Sequence, residues 1–232
     1  VRLQAASDPG NDLLQVTEVQ ITPDLGALFA AKGEFPFRYQ LRAMDGALRG
    51  KASLLEGSGK FRCEGEAENL QLGKLTQLWT MIGRPVTGKM SGHYQFEGDW
   101  RQPYQGVLTA DLRVAEGTVS LQQPVFGLDQ LEFSQLSGSL ELRERALALT
   151  KGKLESRLLA AEYSGTVTLA ESLPVSEVKI DGSLEPRSEL LSGLRDQAVV
   201  ALIKKELRDN KLSFALTGTM LEPGIQFLGG SG

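Results

Sequence analysis

Thiols and imidazoles are nearly missing from this chain: Cys63 and His93 stand alone among 232 residues. A lone cysteine excludes an internal disulfide and leaves the redox compartment undecided. Its position between Phe61 and Gly65 in an alternating segment reads as a small inward hydrophobe. One histidine and one cysteine leave only carboxylates to hold a metal, so no metal site and no cofactor is expected. His93, inside another alternating segment, reads as a surface or strand-edge imidazole. Long apolar runs are also missing, since no stretch approaches the roughly 18 residues of a membrane-spanning helix. Basic clusters are missing too. The net charge is −4, lysines and arginines are scattered singly, and Lys204-Lys205 is the one adjacent pair. That distribution excludes a nucleic-acid partner, whose phosphates need a concentrated basic patch. No Gly-x-Ser-x-Gly elbow, phosphate loop or dinucleotide fingerprint occurs between a strand and a helix. Gly57-Ser58-Gly59-Lys60 lacks the phosphate-loop spacing and no helix follows it. No catalytic residue is assigned, and the expectation is a protein without enzymatic activity.

What the chain has instead is a returning strand pattern bounded by glycine. It is read at Gly59 to Gly65, Gly88 to Gly98, Gly138 to Leu142, Gly165 to Leu169 and Val178 to Leu184. Period-two alternation gives each such strand one apolar and one wet face. Further strands are expected at Glu34 to Ala43, Ala47 to Leu54, around Leu131, Leu147 and Leu154, and at Leu212 to Gly218. Asp45-Gly46 supplies a hairpin turn. Gly106 to Val114 and Gly117 to Leu121 read as a pair joined at Ala115-Glu116-Gly117. The acids Glu64, Glu66 and Glu68 lie two apart on a wet face and read as guards against edge pairing. Three stretches break the rhythm with helical spacing: Pro23 to Phe29, Leu72 to Ile82 stopped by Gly83-Arg84-Pro85, and a long helix from Ser188, as N-cap, to about Arg208. Turn signals every 8 to 12 residues without a helix after each strand argue against βαβ units. The expected fold is mainly β, a curved antiparallel sheet with about three short peripheral helices. The passages Leu70 to Glu97 and Leu184 to Thr219 share a strand, helix, strand order that suggests repeated units.

Some of these segments also carry a resemblance. Leu70 through Trp79, Gly88-Lys-Met90-Ser-Gly92, Phe96-Glu-Gly98 and Gly106-Val107-Leu108-Thr-Ala110-Asp-Leu112 are similar to the AsmA-like repeat. With Leu131-Glu-Phe133, Gly165-Thr-Val167-Thr-Leu169, Val178-Lys-Ile180-Asp-Gly182 and Phe214-Ala-Leu216-Thr-Gly218, the chain resembles the type II secretion system protein N family, over about Val16 to Pro223. The resemblance implies a single periplasmic β domain over residues 1–232, an anchor in the bacterial inner membrane, and other secretion-system proteins as partners. The chain opens on Val1 without Met or a signal peptide, so it is expected to be an excised segment whose anchor is absent. Some AsmA-like relatives are linked to moving phospholipid along a hydrophobic β-groove, and no catalytic residue transfers.

Two functional classes follow. One is a scaffold or accessory component of a secretion machine, binding partners through sheet edges and helices. The other is a lipid-binding or lipid-transfer module whose apolar face stays open to acyl chains or phospholipid. The expected groove comprises Leu108, Leu112, Val119, Leu121, Leu140, Leu142, Leu147, Leu149, Val167 and Leu169, aliphatic positions with few aromatics between them. A closed core favours the scaffold, and an exposed apolar surface favours lipid.

Overall fold

The computed structural model describes residues 2–5, 8–28, 33–55, 57–99, 101–102, 105–194 and 197–228. Thirteen strands follow one another as an antiparallel meander, each beside its sequence neighbours. They are β1 (Arg2–Ala5), β2 (Asp8–Pro23), β3 (Glu34–Ala43), β4 (Gly46–Leu55), β5 (Lys60–Gln71), β6 (Lys89–Asp99), β7 (Val107–Val125), β8 (Leu128–Arg143), β9 (Ala146–Glu155), β10 (Leu159–Thr168), β11 (Glu177–Pro186), β12 (Leu212–Thr219) and β13 (Pro223–Leu228). The expected mainly β, curved sheet is therefore present. Four short helices accompany it: α1 (Leu25–Leu28), α2 (Thr76–Ile82), α3 (Ser188–Gly193) and α4 (Gln197–Glu206).

Local chemistry accounts for the boundaries. Met44 and Asp45 both take positive φ, 50° and 56°, which is the backbone that a two-residue hairpin requires between the twisted strands β3 and β4. Gly83 ends α2 in the left-handed region at φ 66°, its N–H bonding back to the Thr80 and Trp79 carbonyls. The long helix expected from Ser188 to Arg208 is instead two pieces. Leu194 is extended at φ −72°, ψ 122°, and the N-cap is Arg187 rather than Ser188, whose hydroxyl bonds Glu189. The Pro23 to Phe29 helix shrinks to the single turn α1, with Pro23 closing β2 and Phe29 outside the described residues.

The pair expected at Gly106 to Val114 and Gly117 to Leu121 is one strand, β7. Glu116 sits at φ 52° within it, and the inward set changes from Leu108, Ala110, Leu112 and Val114 to Gly117 and Val119. The phase shift that reads as a turn is a twist in a continuing strand. β8 shifts in step, from Leu136 to Phe133, so the two stay paired across the change. Glu64, Glu66 and Glu68 lie on β5, an interior strand, and so guard no edge. Arg49 on β4 instead binds both Glu66 and Glu68 across the ladder.

Curvature follows from what α2 touches. Leu72, Leu75 and Trp79 pack with Val114, Phe133, Leu136 and Leu154 on the apolar face of β7 to β9. The same helix reaches β2 near one margin of the sheet and the turn Leu173–Val175 before β11 near the other. A helix on the middle strands can meet both flanks only if these bend toward the apolar side, which makes that face the inside of a trough. The tip of the β7–β8 hairpin also meets the far end of the sheet. The rings of Phe126 and Phe227 lie 5.0 Å apart, and Gln122 and Arg84 both donate to the Leu221 carbonyl of the β12–β13 turn.

Candidate functional site

Two unbroken rows of small or apolar residues cross twelve strands along the inside of the trough. One runs Ile21, Tyr39, Gly50, Gly65, Tyr94, Ala110, Leu140, Leu149, Gly165, Ile180, Leu216, Ile225, each directly paired with the next. The other runs beside it as Pro23, Phe37, Ala52, Cys63, Phe96, Leu108, Leu142, Leu147, Val167, Val178, Gly218, Pro223. At the usual spacing of about 4.8 Å between strands, twelve strands make a lining about 50 Å wide along the curve.

The expected groove residues divide between this lining and its surroundings. Leu108, Leu140, Leu142, Leu147, Leu149 and Val167 fall in the two rows, with Leu112 one step along β7 beside Gly92 and Gly138. Val119 lies past the twist of β7, bridged to Val86 and opposite Leu131. Leu121 falls in an interrupted part of the β7–β8 register, and Leu169 follows β10, its N–H held by the Arg145 carbonyl. Sequence reasoning omitted Ile180, Leu216, Phe96, Tyr94 and Tyr39 from the groove, although their alternation carries the same signal.

One end of the trough is filled and the middle is not. Under α2 the side chains of Leu72, Val114 and Phe133 are 7%, 7% and 4% exposed. Leu190, Val200 and Ile203 of α3 and α4 are buried, as are the strand positions Leu184 and Leu212. Leu191 and Leu194 are half-buried, and the side chains of Ala198 and Leu202 lie outside the described residues. In the middle rows only Leu142, Ala52 and Val178 are buried. Leu108, Leu112, Leu140, Leu147, Leu149, Val167, Ile180 and Leu216 all remain half-buried. Among the described residues every strand belongs to this one sheet, so no second sheet packs on them.

On β3 to β6 tyrosines lie across glycines: the Tyr39 and Tyr94 hydroxyls meet at 2.7 Å over Gly50 and Gly65. A Cβ placed on Gly65 would stand 2.6 Å from the Tyr39 oxygen and 2.9 Å from that of Tyr94, so glycine is required there to admit the pair. Burial, then the mutual hydrogen bond, pushes the Tyr39 phenol far above its ordinary value, and burial raises Tyr94 as well. Burial pushes Tyr163 up to about 12. Cys63 shares the lining, half-buried, with its thiol raised by burial. These neutral phenols and thiol leave the trough without charge.

The opposite face is polar and self-neutralising. It holds concavities of 640 Å³, edged by Arg38, Arg49, Glu66 and His93, and 910 Å³, edged by Lys60, Arg62, Glu97 and Asp99. Their charges answer one another: Arg38 with Asp24, Arg49 with Glu66, Arg62 with Glu97 at 3.0 Å. His93 is exposed, 3.6 Å from Glu66. Such solvated pairs contribute little to stability. Among the described residues no group of three or more His, Cys, Asp or Glu could hold a metal, and no helix is long and apolar enough to cross a membrane.

No protein family, no curated protein and no solved structure matches this chain.

Proposed function

We propose that the chain binds apolar chains, such as the acyl tails of phospholipid, along the unfilled middle of its trough. The observation that carries this reading is the half-buried state of Leu108, Leu140, Leu147, Leu149 and Val167 in a single-layer sheet. In a closed sandwich, side chains at the centre of such rows would be covered by a facing sheet. Here they keep apolar area in contact with water, and covering it by a ligand is favourable by about 25 cal/mol per Å². The lining offers no charge and no nucleophile–base pair, so the chemistry is holding or passing on a ligand rather than converting it. A periplasmic position beside the bacterial inner membrane, with an anchor outside this segment, goes with the AsmA-like resemblance and is part of the proposal.

A second reading, an accessory component of a type II secretion system, is favoured by a different observation. Among the described residues no strand pairs with the outer side of β2 from Thr17 to Pro23, past the stretch that β1 covers, so this backbone edge can accept a partner strand. Lipid extraction separates the two readings. Protein purified from bacteria without detergent should release phospholipid detectable by mass spectrometry, and Leu140→Ser with Leu149→Ser should lower the yield while the protein stays folded. Absence of lipid, together with unfolding of the double variant, would mark the face as an ordinary core and leave the scaffold reading.

A further inference from the structure

Both margins of the sheet carry exposed apolar side chains. On β2, Val19 and Ile21 are 41% and 58% exposed, and on β13, Ile225, Phe227 and Leu228 are 37%, 36% and 49% exposed. Edge strands are normally shielded by charges, bulges or covering segments. From Val16 to Pro23 the only charged residue is Glu18, and β13 has none. Among the described residues no strand pairs with the outer edge of β13, or with that of β2 from Thr17 onward.

We infer that these margins fit each other, so that β13 of one copy pairs with β2 of the next and the trough continues from copy to copy. Direction permits it, because β2 and β13 are separated by an odd number of antiparallel steps and therefore run oppositely within one continuous sheet. Register permits it as well. The two apolar rows end on Ile21 and Pro23 at one margin and on Ile225 and Pro223 at the other. A single antiparallel register sets Ile21 against Ile225 and Pro23 against Pro223, continuing both rows at once. The same register places Val19 against Phe227 on the inner face, and Gln20 against Gln226 and Thr22 against Gly224 on the outer face. No like charges meet, and both prolines fall at the same end of the ladder, where a missing N–H interrupts no run of hydrogen bonds. Because the two joined surfaces differ, the contact is head-to-tail and produces a ring or a row of copies. It is independent of which ligand the trough holds.

The test places cysteines at the matched positions in a chain with Cys63→Ser. Paired positions in antiparallel strands stand about 4.5–5.5 Å apart at Cβ, near enough for a disulfide after slight adjustment. Ile21→Cys combined with Ile225→Cys should give, on oxidation, a reducible ladder of dimers and larger species, and Ile21→Cys alone should give none. A disulfide confined to single chains, or dimers from Ile21→Cys alone, would overturn the inference. The unsubstituted chain supplies a second readout by light scattering behind gel filtration. Its mass should rise with concentration, and Ile21→Lys, at an exposed site, should hold it at the monomer with its circular dichroism unchanged. A monomeric mass for the unsubstituted chain at every concentration would also overturn it.

Discussion

The filled end of the trough and its open middle are made from the same strands and much the same residue types, yet they differ in cover. Val114 and Leu112 are two residues apart on β7; the first is buried in the cluster with Leu72 and Trp79 and the second is half-buried outside it. The contrast teaches that alternation in a strand fixes which side is apolar and says nothing about how far that side is covered. Cover comes from the two insertions, α2 between β5 and β6, and α3 with α4 between β11 and β12. The filled end supplies stability, and the middle supplies surface.

Substitutions at the two places should therefore separate. Phe133→Ala, beneath α2, should destabilise by about 3–5 kcal/mol in a denaturant titration, the usual result of emptying a buried aromatic site. A loss below 1 kcal/mol would mean that the α2 end is loosely packed and the contrast with the middle false. Gly65→Val comes next, at about 1–3 kcal/mol, because the added carbons meet the Arg49 carbonyl oxygen as well as the Tyr39 and Tyr94 hydroxyls. If it is tolerated, the close approach of β4 and the two tyrosines at Gly65 is not a rigid feature of the open flank.

In the middle, Leu149→Ser should lower stability by only about 1 kcal/mol, since a half-buried leucine has less apolar area to lose. A loss as large as that of Phe133→Ala would erase the distinction between the regions. The smallest effect belongs to Tyr39→Phe, which removes two hydrogen bonds, to the Tyr94 hydroxyl and a longer, exposed one to the Glu64 carbonyl, together worth about 1 kcal/mol net. That variant has a pH signature. A phenol whose folded value lies above the ordinary 10 stays protonated in the native state while the unfolded chain ionises, so the native state binds more protons. Stability should be fully present below about pH 10 and fall as pH rises further, with a shallower fall in Tyr39→Phe. Equal slopes would show that Tyr39 ionises freely in the folded protein.

Much of the fold was legible in the residues. The strands and the stop at Gly83 carry local signals that the structure follows, and the hairpin read at Asp45-Gly46 turns one residue earlier, on Met44 and Asp45. The break at Leu194 was not legible, because the apolar spacing suits one continuous helix, whereas the Leu194 backbone is extended. The passage through Glu116 was misleading for the converse reason, a change of phase without a change of element. Of the lining, Leu108, Leu140, Leu142, Leu147, Leu149 and Val167 were legible from alternation. Gly65 was read as a strand boundary and Gly50 only as a strand position, whereas both are seats for Tyr39 and Tyr94, a relation set by registers that no single strand contains.

Adjacent residues of β9 offer the most direct test of the central claim, because Leu149 points into the trough and Thr150, exposed, borders the polar face beside Asp111 and Ser139. A benzophenone side chain introduced at Leu149 and irradiated in the presence of phospholipid vesicles should form a covalent lipid adduct, visible as a mass shift of the intact protein. The same group at Thr150 should form none. Adducts at Thr150 equal to those at Leu149, or none at either position, would contradict an apolar trough that holds lipid.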